Sequence, residues 1–322
     1  MGSSEDFGRY AASVEFVGHL VCEGTVVALD PLCGYPDEPF TVELPAGRHR
    51  VGLAYPDTAV GLVGVWFSER RAVRWEQACL PGQDLGLLGP GNYYGIPVSS
   101  GTAAFVDSAH RGELETANER WLALIERRHE GGPPEIDGWP CGTHAQWMLA
   151  LPTDGGYRAI YVSCPMGDGG YPCVVGFDAD GAPVAITMVT DGETDVVPDA
   201  PDRTEYRRRH VRQWWEELRE LLRRPKLTRN QWLEVSELSW LLMTRPLDLL
   251  ALGLFEEIAR EYHALHEAGA TARRLRELES TLNEAAWRLY DTSEDLGDRM
   301  VDRVGHLLET DPEDWRPAED AP

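Results

Sequence analysis

Two aspartates stand where acid/base chemistry could be done. Asp107 closes the apolar run GTAAFVD, and Asp168 sits in CPMGDGGYPCVV between two further apolar runs. A hydrolase of the two-carboxylate kind needs one carboxyl group to give a proton and another to take one, so the pair would have to share a pocket. Gly167, Gly169 and Gly170 flank Asp168 and precede Tyr171. Successive glycine amides can wrap an anion or bring backbone close to a ligand, which makes these four residues the ligand-binding candidates. The competing reading is a tight turn. Neither a helix opening nor a Lys-Ser/Thr pair follows the glycines, as a phosphate loop requires, and Gly with Asp is ordinary turn composition. The chain holds no GxSxG elbow and no recognisable Cys/His nucleophile signature.

Metal-binding spacings are fragmentary. Cys141-Gly-Thr-His144 resembles half a zinc site that Cys164 or Cys173 could complete, but a structural site usually shows two short-spaced pairs. His263 and His266, with Glu267 beside them, lie one helical turn apart without HExxH spacing. The DADG at 178–181 opens like a calcium loop, yet no Gly follows at the sixth position and no Glu at the twelfth. A hairpin turn accounts for it. We therefore expect no metal and no cofactor, and folding that needs neither.

Residues 203–229 hold ten cations and four acids, with Trp214 and Trp215 interleaved. Arg208, Arg212 and Trp215 are the partner-binding candidates in this stretch. A nucleic-acid patch would have this composition, but so would a solvated helix face with Arg212–Glu216 and Glu220–Arg224 as i,i+4 pairs and both tryptophans on the apolar side. The whole chain decides between them: 54 Asp plus Glu against 30 Lys plus Arg give a net charge of -24, and Lys226 is the single lysine. Such a field repels polyanions, whose binding rests on phosphate neutralisation, and attracts a basic protein. The leading expectation is a non-enzymatic module that binds another macromolecule, antitoxin or immunity-like behaviour being one form. The alternative is a hydrolase or small-ligand-binding enzyme using Asp107 and Asp168.

The elements that must carry these residues follow from periodicity. The 322 residues are 43% hydrophobic and 26% charged, a globular composition long enough for two domains. From residue 13 to about 106 short apolar runs alternate with turn residues, as strands do. Phe40, Val42 and Leu44 alternate, PAG turns the chain, and Val51, Leu53 and Tyr55 alternate again, predicting a hairpin; SER at 68–70 predicts a second. Residues 81–101 read as a long surface connection. Asp107 or Ser108 caps a helix through about 129 with Leu114, Ala117, Trp121, Leu124 and Ile125 on one face. YRAIYVSC, YPCVVGFD and APVAITMV then form an antiparallel meander.

An acidic, proline-containing segment near 193–205 reads as a linker. Beyond it Val211, Trp214, Trp215, Leu218 and Leu222 begin a helical period, and five helices follow to the end of the chain. The expected fold class is α+β: an antiparallel β-rich domain with one main helix over 1–192, the linker, and an all-α bundle over 206–322. Six cysteines without a CxxC pair are expected as free thiols packed on strands. No apolar run is long enough for a membrane span, and the acidic start MGSSEDFGRY lacks a secretory pattern, so a cytoplasmic location is expected.

Four blocks in order, PFTVELPAGRHRVGLAY, AVRWEQACLPGQD, YYGIPVSSGTAAFVD and GDGGYPCVVGFDADGAPV, resemble the bacterial domain of unknown function 4241 over roughly residues 15–195. The third block commonly reads GTGCFMD in that family, so Asp107 matches while Ala103, Ala104 and Val106 depart. The fourth commonly reads GDGSYP, so Asp168, Tyr171 and Pro172 match and Gly170 replaces Ser. The resemblance implies a shared β-rich domain, implies no activity, and leaves the helical region outside it.

Overall fold

In the computed structural model, residues 7, 8, 11, 13–35, 38–55, 59–88, 92–129, 139–142, 146–192, 197–200 and 203–315 are described. The chain divides into two compact units, Met1–Asp202 and Arg203–Pro322.

The first unit is built on eleven strands: β1 (Glu15–Cys22), β2 (Val26–Leu29), β3 (Gly47–Ala54), β4 (Leu62–Trp66), β5 (Arg74–Gln77), β6 (Gly95–Val98), β7 (Thr102–Asp107), β8 (Trp147–Thr153), β9 (Gly156–Ser163), β10 (Gly169–Phe177) and β11 (Pro183–Val189). They join in the order β2-β7-β9-β1-β3-β4-β11-β10-β5, with β6 on β10 and β8 on β9. Every pairing is antiparallel except a single parallel bridge, Leu20 to Tyr157, between β1 and β9. The sheet is therefore mixed, not purely antiparallel as the alternation suggested.

Alternate side chains enter separate cores. Ala103 and Phe105 point into one cluster with Leu20, Val51, Val65, Ile160 and Ile186. Their neighbours Ala104 and Val106 face a second cluster, under α1 (Leu114–His129), with Trp121 and Leu124. Farther along the sheet, Ala54, Leu62, Val174 and Ala185 meet Phe7 and Trp75 in a third. Buried on both faces, β7 reads as a continuous apolar run. Cys22, Cys164 and Cys173 are buried free thiols, as expected of packed cysteines, whereas the free thiol of Cys33 is exposed.

Several pairings differ from those the sequence suggests. Residues 40–44 form no strand, although Phe40 and Leu44 are buried in the core. Both edges of β3 are taken, by β1 and β4, so the alternating segment packs without a ladder. The strands flanking SER do not pair either: β4 lies beside β11 and β5 beside β10. β6 lies inside the presumed long connection, and β8 forms a hairpin with β9 across Asp154 and Gly155. The presumed linker is partly structured, because Val197 is buried and the Pro198 carbonyl accepts from Gln77 Nε2 at 3.0 Å.

The second unit is helical: α2 (Thr204–Arg223), α3 (Arg229–Met243), α4 (Pro246–Ala251), α5 (Leu254–Glu267), α6 (Ala272–Trp287) and α7 (Glu294–Glu309). Thr228 and Gln231 make the expected capping box on α3. One expected helix is two, since Gly253 adopts φ 66° between α4 and α5, a left-handed turn that only glycine takes without strain. Val211, Trp215, Leu218 and Leu222 form the buried stripe of α2 and join Leu242, Ile258, Leu282 and Val304 in one core.

Candidate functional site

Asp107 ends β7 with its side chain fully buried. Its Oδ1 accepts from the Gly24 N–H at 3.0 Å and the Ala109 N–H at 3.2 Å; its Oδ2 accepts from the Glu23 N–H at 3.1 Å and from Arg158 Nη1 at 3.3 Å. The carboxylate thus ties the turn after β1 to the short helical turn that leads into α1. Arg158 also donates to Glu23 Oε1 at 2.7 Å. His110 bonds Glu113 through Nδ1 at 2.8 Å and places Nε2 3.3 Å from Glu23 Oε2. The Glu113 hydrogen bond outweighs desolvation and raises the His110 pKa. With donors on both oxygens and no exposed surface, Asp107 is placed to hold backbone, not to relay a proton to a ligand.

Asp168 lies at the other end of the same strand. The Cys164 N–H donates to the Gly101 carbonyl just before β7, and the Gly167 N–H closes the turn onto the Cys164 carbonyl. Asp107 follows Gly101 by six residues of extended chain, which at about 3.3 Å per residue separates the two ends by roughly 20 Å. The two aspartates do not meet in one pocket. Among the glycines only Gly167, at φ 76°, needs left-handed backbone. Gly169 and Gly170 belong to β10 and pair with Val98 and Pro97 of β6. Tyr171 is buried and its hydroxyl donates to the Gly167 carbonyl at 2.6 Å. The loop is a pinned turn, and an open amide nest is not formed by Gly167, whose N–H is already committed.

Beside this turn stands a residue that the sequence reading missed. Asp30 is fully buried. It accepts from the backbone N–H groups of Leu32 and Cys33 through Oδ1 and from those of Ser99 and Ser100 through Oδ2, and Ser100 Oγ adds a bond at 2.8 Å. Burial works against the charge, but the bonds from Ser99, Ser100 and Cys33 together hold its pKa below the ordinary carboxylate value. The missed signal is the Asp-Pro pair ahead of LCG, an Asx-turn composition.

Four of the six arginines of α2 are paired with carboxylates inside the second unit. Arg207 Nε donates to Asp248 Oδ2 at 2.5 Å, both side chains being buried, and Arg208 lies 3.5 Å from the same carboxylate. Arg212 turns to Glu257, 2.7 Å from both oxygens, instead of to Glu216; Glu220 does pair with Arg224, at 3.5 Å. Arg223 binds Glu261 at 2.5 Å. Trp215 is fully buried and donates to Glu257 at 3.3 Å, so it cannot present itself to a partner. Sequence spacing could not show that α4 and α5 bring acids to this face.

His144 lies outside the described residues. His263 donates from Nε2 to the Leu307 carbonyl, and His266 stacks on Tyr262. Asp178 accepts from the N–H groups of Asp180 and Ala182, which closes the DADG turn as a hairpin. Among the described residues no three His, Cys, Asp or Glu side chains gather as metal ligands, and no helix is long and apolar enough to cross a membrane.

No curated protein and no solved structure matches the chain. The model of the family described as "Protein of unknown function (DUF4241)" matches residues 21–188. That span opens inside β1, closes inside β11 and contains both Asp107 and Asp168, while every helix from α2 onward lies beyond it. With just over half of its length matched, across the sheet that positions both aspartates, the chain belongs to the DUF4241 family.

Proposed function

We propose that the protein is a non-enzymatic docking module for a basic protein. The observation that carries this reading is how charge is distributed after internal pairing. Arg70, Arg158, Arg207, Arg212 and Arg223 each bind a carboxylate of the same chain. Glu38, Glu43, Glu115, Glu119, Glu126 and Asp154, by contrast, are exposed and enter no ion pair among the described residues. Residues 1–200 hold 28 Asp and Glu against 11 Arg, so the excess of carboxylates is concentrated there. The separation of Asp107 from Asp168 favours this reading over the two-carboxylate hydrolase, because neither aspartate is placed to assist the other.

A field of this sign speeds encounter with a cationic surface and disfavours nucleic acid. Affinity capture with the full chain should recover a basic protein whose association rate falls about tenfold or more when salt rises from about 50 to 300 mM, because screening shortens the reach of the field. A salt-indifferent partner, a co-purifying nucleic acid, or turnover in a substrate screen that Asp168→Asn abolishes would overturn the reading.

A further inference from the structure

One face of the sheet carries a groove of about 1020 Å³ whose walls include Phe16, Arg50, Trp66, Arg70, Arg71 and Trp75. Its floor is shaped by missing side chains. A Cβ added to Gly52 on β3 or to Gly64 on β4 would come within 2.8 and 2.6 Å of the six-membered ring of Trp66. Gly176 on β10 stands in the same relation to Trp75, at 2.8 Å. Three strands have thus given up a side chain where an indole is laid against the sheet. Phe16 meets Trp66 edge-on, with centroids 5.4 Å apart at 88°, and remains 42% exposed.

Guanidinium groups rim these rings. Arg50 stands 4.2 Å over the Phe16 ring and reaches Glu69 only at 3.8 Å. Arg70 is held at 2.8 Å by both Asp178 and Asp180. Arg71 is exposed and has no ion pair among the described residues. In a unit where acids outnumber arginines by more than two to one, three arginines beside exposed aromatic surface form a local exception. Folding does not require a half-exposed phenylalanine and an unpaired cation in one groove, whereas binding uses both.

We propose that this groove binds a small aromatic anion, its ring against Phe16 and Trp66 and its carboxylate or phosphate paired by Arg71 and Arg50. Guanidinium matches a planar or tetrahedral oxyanion bidentately, and edge or offset packing of a third ring extends the Phe16–Trp66 pair. The volume suits a small molecule. A nucleic-acid strand is disfavoured by Glu69 in the groove wall, by the Asp178 and Asp180 carboxylates bound to Arg70, and by the net charge.

Calorimetric titration of the full chain with cinnamate, phenyl phosphate, cinnamyl alcohol and inorganic phosphate tests the proposal. At least one of the two aromatic anions should bind, at least about tenfold more tightly than the neutral alcohol, with inorganic phosphate silent, since the charged bond and the ring contact must both be made. Arg71→Gln, at an exposed position, should cost about tenfold in affinity while leaving the melting temperature unchanged. Phe16→Leu should weaken whichever aromatic anion binds and leave inorganic phosphate silent. Equal affinity for cinnamate and cinnamyl alcohol, undiminished affinity in Arg71→Gln, or no binding of either aromatic anion up to about 5 mM would overturn it.

Discussion

Asp30 is buried and yet its pKa lies below the ordinary carboxylate value, for a reason visible atom by atom: four backbone N–H groups and one hydroxyl converge on its two oxygens. Asp30→Asn would turn an amide NH2 toward two of those donors, and we expect a loss of about 3 kcal/mol, the scale for stranding bonds to a buried charge. Because the native carboxyl titrates below its ordinary value, its contribution is present above about pH 4 and fades as pH falls through the lower native pKa. Melting curves of the two proteins should therefore differ most near neutrality and converge in acid; a constant difference down to about pH 2 would refute the assignment. The contrast with Asp107 shows what sequence can and cannot say about single residues. Asp107 was legible as a helix cap because one of its four donors, the Ala109 N–H, is local. Asp30 was not, because Ser99 and Ser100 lie about 70 residues away along the chain and only the fold brings their amides to it.

At the level of elements, periodicity located apolar segments better than it paired them. Phe40 and Leu44 alternate as a strand would and reach the core, yet the backbone edge they would need is already occupied by β1 and β4. Alternation reports burial on one side; hydrogen-bond partners are a property of the sheet. Glycine chemistry is likewise sharper in three dimensions. Composition offers Gly167, Gly169 and Gly170 alike as turn formers of the Asp168 loop, but a Cβ on Gly169 meets nothing closer than the Tyr171 ring at 3.7 Å. The tight crossing is between β6 and β10, where a Cβ on Gly95 would lie 2.5 Å from the Gly170 carbonyl carbon. Gly95→Ala should thus cost about 2 to 3 kcal/mol, as backbone must move, and Gly169→Ala less than about 1 kcal/mol. Chemical denaturation of both variants decides the matter, and equal losses would sink the distinction.

At the scale of the whole molecule, the residues of the helical core belong to Arg203–Pro322, and the three sheet cores draw only on the first unit. A chain of residues 203–322 should accordingly fold alone, with a helical circular-dichroism spectrum and a sigmoidal thermal transition; a gradual, non-cooperative loss of helicity would contradict that independence. The switch from period two to period 3.6 made this division visible in the sequence, while the internal ion pairs of Arg207, Arg212 and Arg223 were hidden, since their partners Asp248, Glu257 and Glu261 lie 38 to 45 residues downstream. The cysteines carry a consequence for chemistry at this scale. Burial pushes the Cys22 and Cys164 thiols up to about 12 and that of Cys173 higher still. At neutral pH Cys22 and Cys164 are therefore held as protonated, weakly nucleophilic thiols, and the sulfur is shielded by packing as well. Oxidants and alkylating agents thus meet three sheet thiols that are slow to react, and modification of this unit is directed instead to the exposed sulfur of Cys33.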